Sequence, residues 1–91
     1  MDKERPLSTG RRRLGLRVRL ERVRRGWSQE VLAELAGLHR NYIGHVERGE
    51  LNIGFDNLTR LAEALEMSVG QLLDEHRPRL GLRADIPTEN A

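Results

Sequence analysis

The sequence predicts an all-α domain of five short helices. Three observations lead there: apolar residues recur at helical rather than alternating spacing, glycines stop each of the first three apolar runs, and Ser28 and Ser68 stand at helix-capping positions. The first helix runs from Leu14 to Arg25, with Leu14 and Val18 as its apolar side, Leu20 and Val23 as further candidates, and Gly26 as its stop. Ser28 caps a second helix over 29–36, where Leu32, Ala33 and Ala36 form one stripe, and Gly37 breaks it. A third, over 40–48, carries Ile43 and Val46 for burial and closes at Gly49. After a loop over 50–54, Leu58, Leu61, Ala62 and Leu65 give the i, i+3, i+4, i+7 pattern of a fourth helix. Ser68 and Gln71 form a capping-box pair that opens a short fifth.

Ninety-one residues at 37% apolar content allow one small domain and no second core. Without cysteine, neither disulfides nor the usual cysteine-rich zinc frameworks can staple it, so it depends on tight helix packing or on a partner subunit. Residues 1–13, with Pro6, Ser8, Thr9 and Gly10 ahead of Arg11, Arg12 and Arg13, read as a flexible basic arm. The folded part is expected over 14–73, and residues 74–91, with Pro78, Gly81 and Pro87, as a weakly ordered tail. No stretch suits a signal peptide or a membrane span, so the cytoplasm, at the nucleoid, is the expected location.

The net charge of +2 conceals an asymmetry. Residues 1–25 carry ten cations against three acids, whereas 26–91 carry six against eleven. Fifteen of the sixteen cations are arginine, whose planar fork binds phosphate oxygens in pairs. Between Ser28 and Gly49, two short helices are joined by a turn containing Gly37. Helices joined this tightly cross steeply, and small Ala33 and Ala36 let their backbones approach. The second of the pair then protrudes, in a form that the major groove of B-DNA admits.

Ser28-Gln29-Glu30, Leu32-Ala33, Ala36-Gly37-Leu38 and Tyr42-Ile43 through Val46-Glu47-Arg48-Gly49 resemble the Cro and phage-repressor (XRE-type) helix-turn-helix family over residues 14–73. The run His39-Arg40-Asn41-Tyr42-Ile43-Gly44, with Glu50, Asn52 and Ile53 beyond it, is similar in particular to restriction-modification controller proteins. The resemblance implies a five-helix, lambda-repressor-like domain that regulates transcription by binding an inverted-repeat operator on double-stranded DNA as a homodimer, with no catalysis and no cofactor.

It also implies roles for single residues. His39, Arg40 and Asn41 match the exposed, base-contacting start of the recognition helix, where Arg pairs bidentately with guanine and Asn with adenine; His45, near the same face, is a further candidate for contact with a base or phosphate. Gln29, Tyr42 and Asn52 match backbone-contacting positions, Tyr42 being equally suited to half-packing on the domain. Arg22 and Glu47 match an ion pair that joins the first helix to the recognition helix. Met67, Val69, Leu72 and Leu73 are expected at the dimer interface, since a short fifth helix offers too little surface to cover them all. Glu30 and Glu34 are either a solvated face or an acidic patch that touches RNA polymerase, as in some relatives. The family has an apolar residue where this chain has Glu21, and Gly44 is an unusual helix residue, read either as close approach to DNA or as a plain weak point.

Enzymatic readings find no support: His39, His45 and His76 form no metal-ligand pattern, and no phosphate loop, nucleophile elbow or carboxylate pair is present. A phage-type repressor, an antitoxin-like regulator, and a helical protein-interaction module without DNA binding are the alternatives; Arg40 and Asn41 argue against the last.

Overall fold

The longest helix begins well before Leu14. In a computed structural model that describes residues 4–74, with side chains from Thr9 onward, α1 spans Glu4–Arg24. This corrects the expected arm over residues 4–13. Pro6 lies in the first turn, where its missing N–H has no intrahelical partner to lose, and arginine is a good helix former that Gly10 alone does not outweigh. Residues 1–3 and the expected tail over 75–91, including His76, lie outside the described residues.

Four shorter helices follow: α2 (Gln29–Ala36), α3 (Arg40–Glu47), α4 (Phe55–Ala64) and α5 (Val69–Leu73). Each boundary has a local cause. The Ser28 hydroxyl accepts from the Val31 N–H and so satisfies a first-turn donor of α2. Gly37 ends the helix in the left-handed region (φ 69°), with its N–H and that of Leu38 returning to the last carbonyls of α2. Ser68 and Gln71 close the reciprocal capping box at α5.

α1 packs on α3 and α5, α2 on α3 and α4, and α4 on α5. The core consists of Val18, Leu32, Ala33, Ala36, Ile43, Val46, Leu58, Leu61, Ala62, Leu65 and Leu72, with Leu14 half-buried at its edge. Gly15 sets the closest approach of α1 to α3. A Cβ there would fall on the Val46 carbonyl oxygen and lie 2.6 Å from that of Glu47.

Two apolar expectations fail. Leu20 (48% exposed) and Val23 (54%) lie outside, because the 3.6-residue period that buries Val18 turns them away from the core. Leu72, expected at a dimer interface, is 1% exposed within the single chain, since α1 and α4 both pack on α5 and cover it; Met67 and Val69 are half-buried and Leu73 is exposed.

Glu21 does occupy the interior, as a carboxylate in a ring of arginines. Arg25 Nη1 donates to Oε1 at 2.8 Å, Arg17 Nε to Oε2 at 3.0 Å, and Arg24 Nη1 to Oε2 at 3.4 Å. The Arg25 bond, with help from Arg17 and Arg24, holds the carboxyl below its ordinary range against the opposing effect of burial. Arg25 Nη2 also donates to the Leu65 carbonyl and Arg17 Nη1 to that of Asp74, so the same cations that neutralise Glu21 cap the C-terminal ends of α4 and α5. Arg17 and Arg25, held by Glu21, thereby tie α1 to the ends of two other helices.

Candidate nucleic-acid interface

A helix that is to enter a DNA groove must be anchored on one side and bare on the other. α3 meets both conditions: Ile43, Gly44, Val46 and Glu47 are buried, while Arg40, Asn41 and His45 are exposed. Asn41, His45 and Arg48 follow one another at i, i+4 and i+7, so they share a stripe on the outer face that continues into the C-cap.

The anchor is an ion pair. Arg22 of α1 grips Glu47 with both arms of its fork, Nε to Oε2 at 2.6 Å and Nη2 to Oε1 at 3.0 Å, and its Nη1 donates to the Trp27 carbonyl at 2.8 Å. The Glu47 side chain is 3% exposed, and its hydrogen bond raises the Arg22 guanidinium above its ordinary range despite desolvation. Gln29, at the first position of α2, donates from Nε2 to Glu47 Oε1 at 3.1 Å. One buried carboxylate therefore fixes α3 to α1 and to the start of α2, where first-turn N–H groups lack helical acceptors and suit an anion.

His39 is the N-cap of α3. Its Nδ1 accepts from the Asn41 N–H at 3.1 Å, so that nitrogen carries no proton and Nε2–H is the donor presented to solvent, beside exposed Arg40 and Asn41. His45 faces outward as well and is engaged by Glu50. Tyr42 is half-buried, packed against the core. Asn52 is exposed on the α3–α4 loop, lining a cavity of about 340 Å³ with Gly10, Arg11 and Leu14 of α1. Arg12 lies directly against Gly49, so the basic first half of α1 runs beside the loop that carries Asn52. Glu30 and Glu34 are exposed on α2.

Arg48 was not singled out from sequence, where it read only as part of the Glu-Arg-Gly motif. Its guanidinium Nη1 and the Gln29 Oε1 lie 3.2 and 3.7 Å from the point where a Cβ on Gly44 would stand. Gly44 thus leaves room for Arg48 and Gln29 to stand side by side at the edge of the exposed face. Arg48 Nε donates to Glu50 Oε2 at 2.9 Å, and this bond, with that from His45, holds the Glu50 carboxyl at about 2. Among the described residues no group of three or more His, Cys, Asp or Glu could hold a metal, and no helix is long and apolar enough to cross a membrane.

The sequence model of the helix-turn-helix family matches residues 18–72, which spans α2, α3 and both members of the Arg22–Glu47 anchor. The chain belongs to this family. It is 45% identical over 69 residues to a hypothetical transcription factor of Neisseria meningitidis, covering 76% of this chain and 65% of that protein. It is 59% identical over 46 residues to Control protein C.SmaI of Serratia marcescens, covering 50% and 55%. The chain thus spans less than two thirds of the length of these two relatives. The restriction-modification controller protein C.AhdI of Aeromonas hydrophila superposes with a TM-score of 0.68 at 42% identity, over 70% of this chain and 97% of that one. Family and geometry agree: the chain carries a helix-turn-helix of the XRE type, formed by α2 and α3 and built like that of controller proteins.

Proposed function

We propose that the protein binds an inverted-repeat operator as a homodimer and controls the genes of a restriction-modification system. The observation that carries the DNA-reading part is the exposed triplet His39, Arg40 and Asn41 at the start of a helix pinned from behind by the buried Arg22–Glu47 pair. Arg40 and Asn41 read bases, His39 and His45 supply further donors, and Gln29, Tyr42 and Asn52 take the backbone. Nothing in this role calls for catalysis. The controller role rests on the likeness to C.SmaI and C.AhdI.

The dimer is supported by apolar surface left open in the single chain. An open groove of about 590 Å³ runs between Leu14, Leu16, Arg17 and Leu20 of α1 and Leu72, Leu73 and Asp74 at α5. Leu16, Leu20, Val23 and Leu73 are each about half exposed or more along this side, and covering the open part of one such side chain contributes about 1–2 kcal/mol. A second copy related by a two-fold axis would cover them, together with Met67 and Val69, and would present two α3 helices to one face of the duplex.

Selection from a pool of random duplexes tests this reading. An inverted repeat with half-sites about one helical turn apart, bound by two chains, is expected. Leu73→Asp, at an exposed position, should keep the helical circular-dichroism spectrum yet sediment as a monomer and lose cooperative binding. An asymmetric site bound by a single chain would overturn the dimer. Methyltransferase and endonuclease genes beside the coding sequence are expected; a toxin or phage genes there would replace the controller role.

A further inference from the structure

The C-terminal end of the recognition helix closes into a network of three side chains, each about half exposed. Glu50 Oε1 lies 2.8 Å from His45 Nδ1, Glu50 Oε2 lies 2.9 Å from Arg48 Nε, and Arg48 Nη2 lies 3.4 Å from the same His45 nitrogen. A carboxylate oxygen can only accept, so at 2.8 Å the His45 Nδ1 carries the proton. One carboxylate thus engages, with its two oxygens, one donor on each of the two side chains at this end of α3.

Those donors stand where a duplex backbone would be expected to pass. Asn41, His45 and Arg48 share the outer stripe of α3, and Arg48 reaches across Gly44 to the side of Gln29, whose place at the start of α2 suits a phosphate. A phosphodiester presents the same chemistry as Glu50: two acceptor oxygens that share one negative charge, matched to a guanidinium and a ring N–H. Glu50 is the exposed acid at this end of the helix, and it hydrogen-bonds both His45 and Arg48.

We propose that Glu50 is a built-in substitute for a DNA backbone phosphate: in the free protein it holds His45 and Arg48, and a phosphate takes its place on binding. This rests on α3 being the DNA-facing helix and adds a regulatory residue to that face. Because Arg48 and His45 then exchange one anion for another, the exchange subtracts from the affinity common to all sequences, leaving base contacts by Arg40 and Asn41 to discriminate. A chain with ten cations in its first 25 residues would otherwise adhere to any duplex.

Glu50→Gln tests the proposal by fluorescence anisotropy on a random-sequence duplex across a salt series, with circular dichroism to check the fold. Tighter binding is expected, with a salt dependence steeper by about 0.9 in log–log slope, equivalent to a gain about threefold larger at 50 mM than at 200 mM salt. Adding Arg48→Ala should abolish most of that gain. An unchanged affinity and slope, with the unmodified protein still binding DNA, would refute the exchange while leaving the interface intact. A gain that survives Arg48→Ala would equally refute it, since it would reflect remote charge alone. Failure of the unmodified protein to bind any duplex would remove the interface itself, and the proposal with it.

Discussion

Alanine at Gly15 and alanine at Gly10 should change stability in opposite directions, although both sit in α1. At Gly10 a Cβ meets nothing within 4 Å, so the substitution acts through backbone freedom alone and should stabilise by about 0.5–1 kcal/mol. At Gly15 the same gain applies, but the new Cβ falls on the Val46 carbonyl oxygen and lies 2.6 and 2.8 Å from the Glu47 carbonyl oxygen and carbon. These are backbone atoms of α3 and cannot swing aside, so overpacking of about 1–3 kcal/mol outweighs the helical gain. The net loss is about 1–2 kcal/mol. At about 4–8 °C per kcal/mol for a domain of this size, Gly10→Ala should raise Tm by about 2–8 °C and Gly15→Ala should lower it by about 4–16 °C. Thermal denaturation by circular dichroism reads both. Equal stabilisation by the two substitutions would show that α1 and α3 do not cross at Gly15, and the anchoring of α3 would need a different basis.

Three further outcomes are expected. Glu47→Ala strands the Arg22 guanidinium in a buried site and should cost about 3–5 kcal/mol, seen as a lower urea midpoint at unchanged m-value; a loss below about 1 kcal/mol would mean that the pair is solvated. Glu21 has a folded-state pKa below its ordinary 4.5, so its stabilisation is complete above that value and drains away as pH falls through the folded one. The unmodified protein should therefore lose stability below pH 4.5 more steeply than Glu21→Gln, and parallel pH profiles would contradict the arginine ring. Arg40→Ala should cost about 1–3 kcal/mol on the selected operator and little on random duplex, whereas Gln29→Ala and Asn52→Ala should weaken both; equal loss for Arg40→Ala would reassign it to phosphate.

Much of the fold was legible because local chemistry decides it. Ser28, Gly37 and Ser68 cap or stop their helices regardless of what packs on them, and the apolar stripe of α4 has one way to face inward. The start of α1 was not legible: Pro6 and Gly10 read as breakers, yet Pro6 falls in a first turn that tolerates it and the run after Gly10 is rich in helix-forming arginine. Leu72 was misread for a related reason. Whether a leucine on a five-residue helix is covered depends on α1 and α4 docking there, which no local pattern states. Motif position named the Arg22–Glu47 pair and put Arg40 and Asn41 at the exposed start of α3, but it did not single out Arg48 and Glu50. Their juxtaposition depends on the turn after Glu47 folding back toward His45 and on the space left by Gly44.

The central claim is that α3 reads sequence. Its most direct test is the ratio of affinities for the selected operator and for a scrambled duplex of equal length and composition, measured by anisotropy at one fixed salt concentration near 150 mM. A ratio of about 1,000 or more is expected of a base-reading helix. A ratio near one, with measurable binding to both, would contradict the account and leave a basic protein that holds DNA by charge alone.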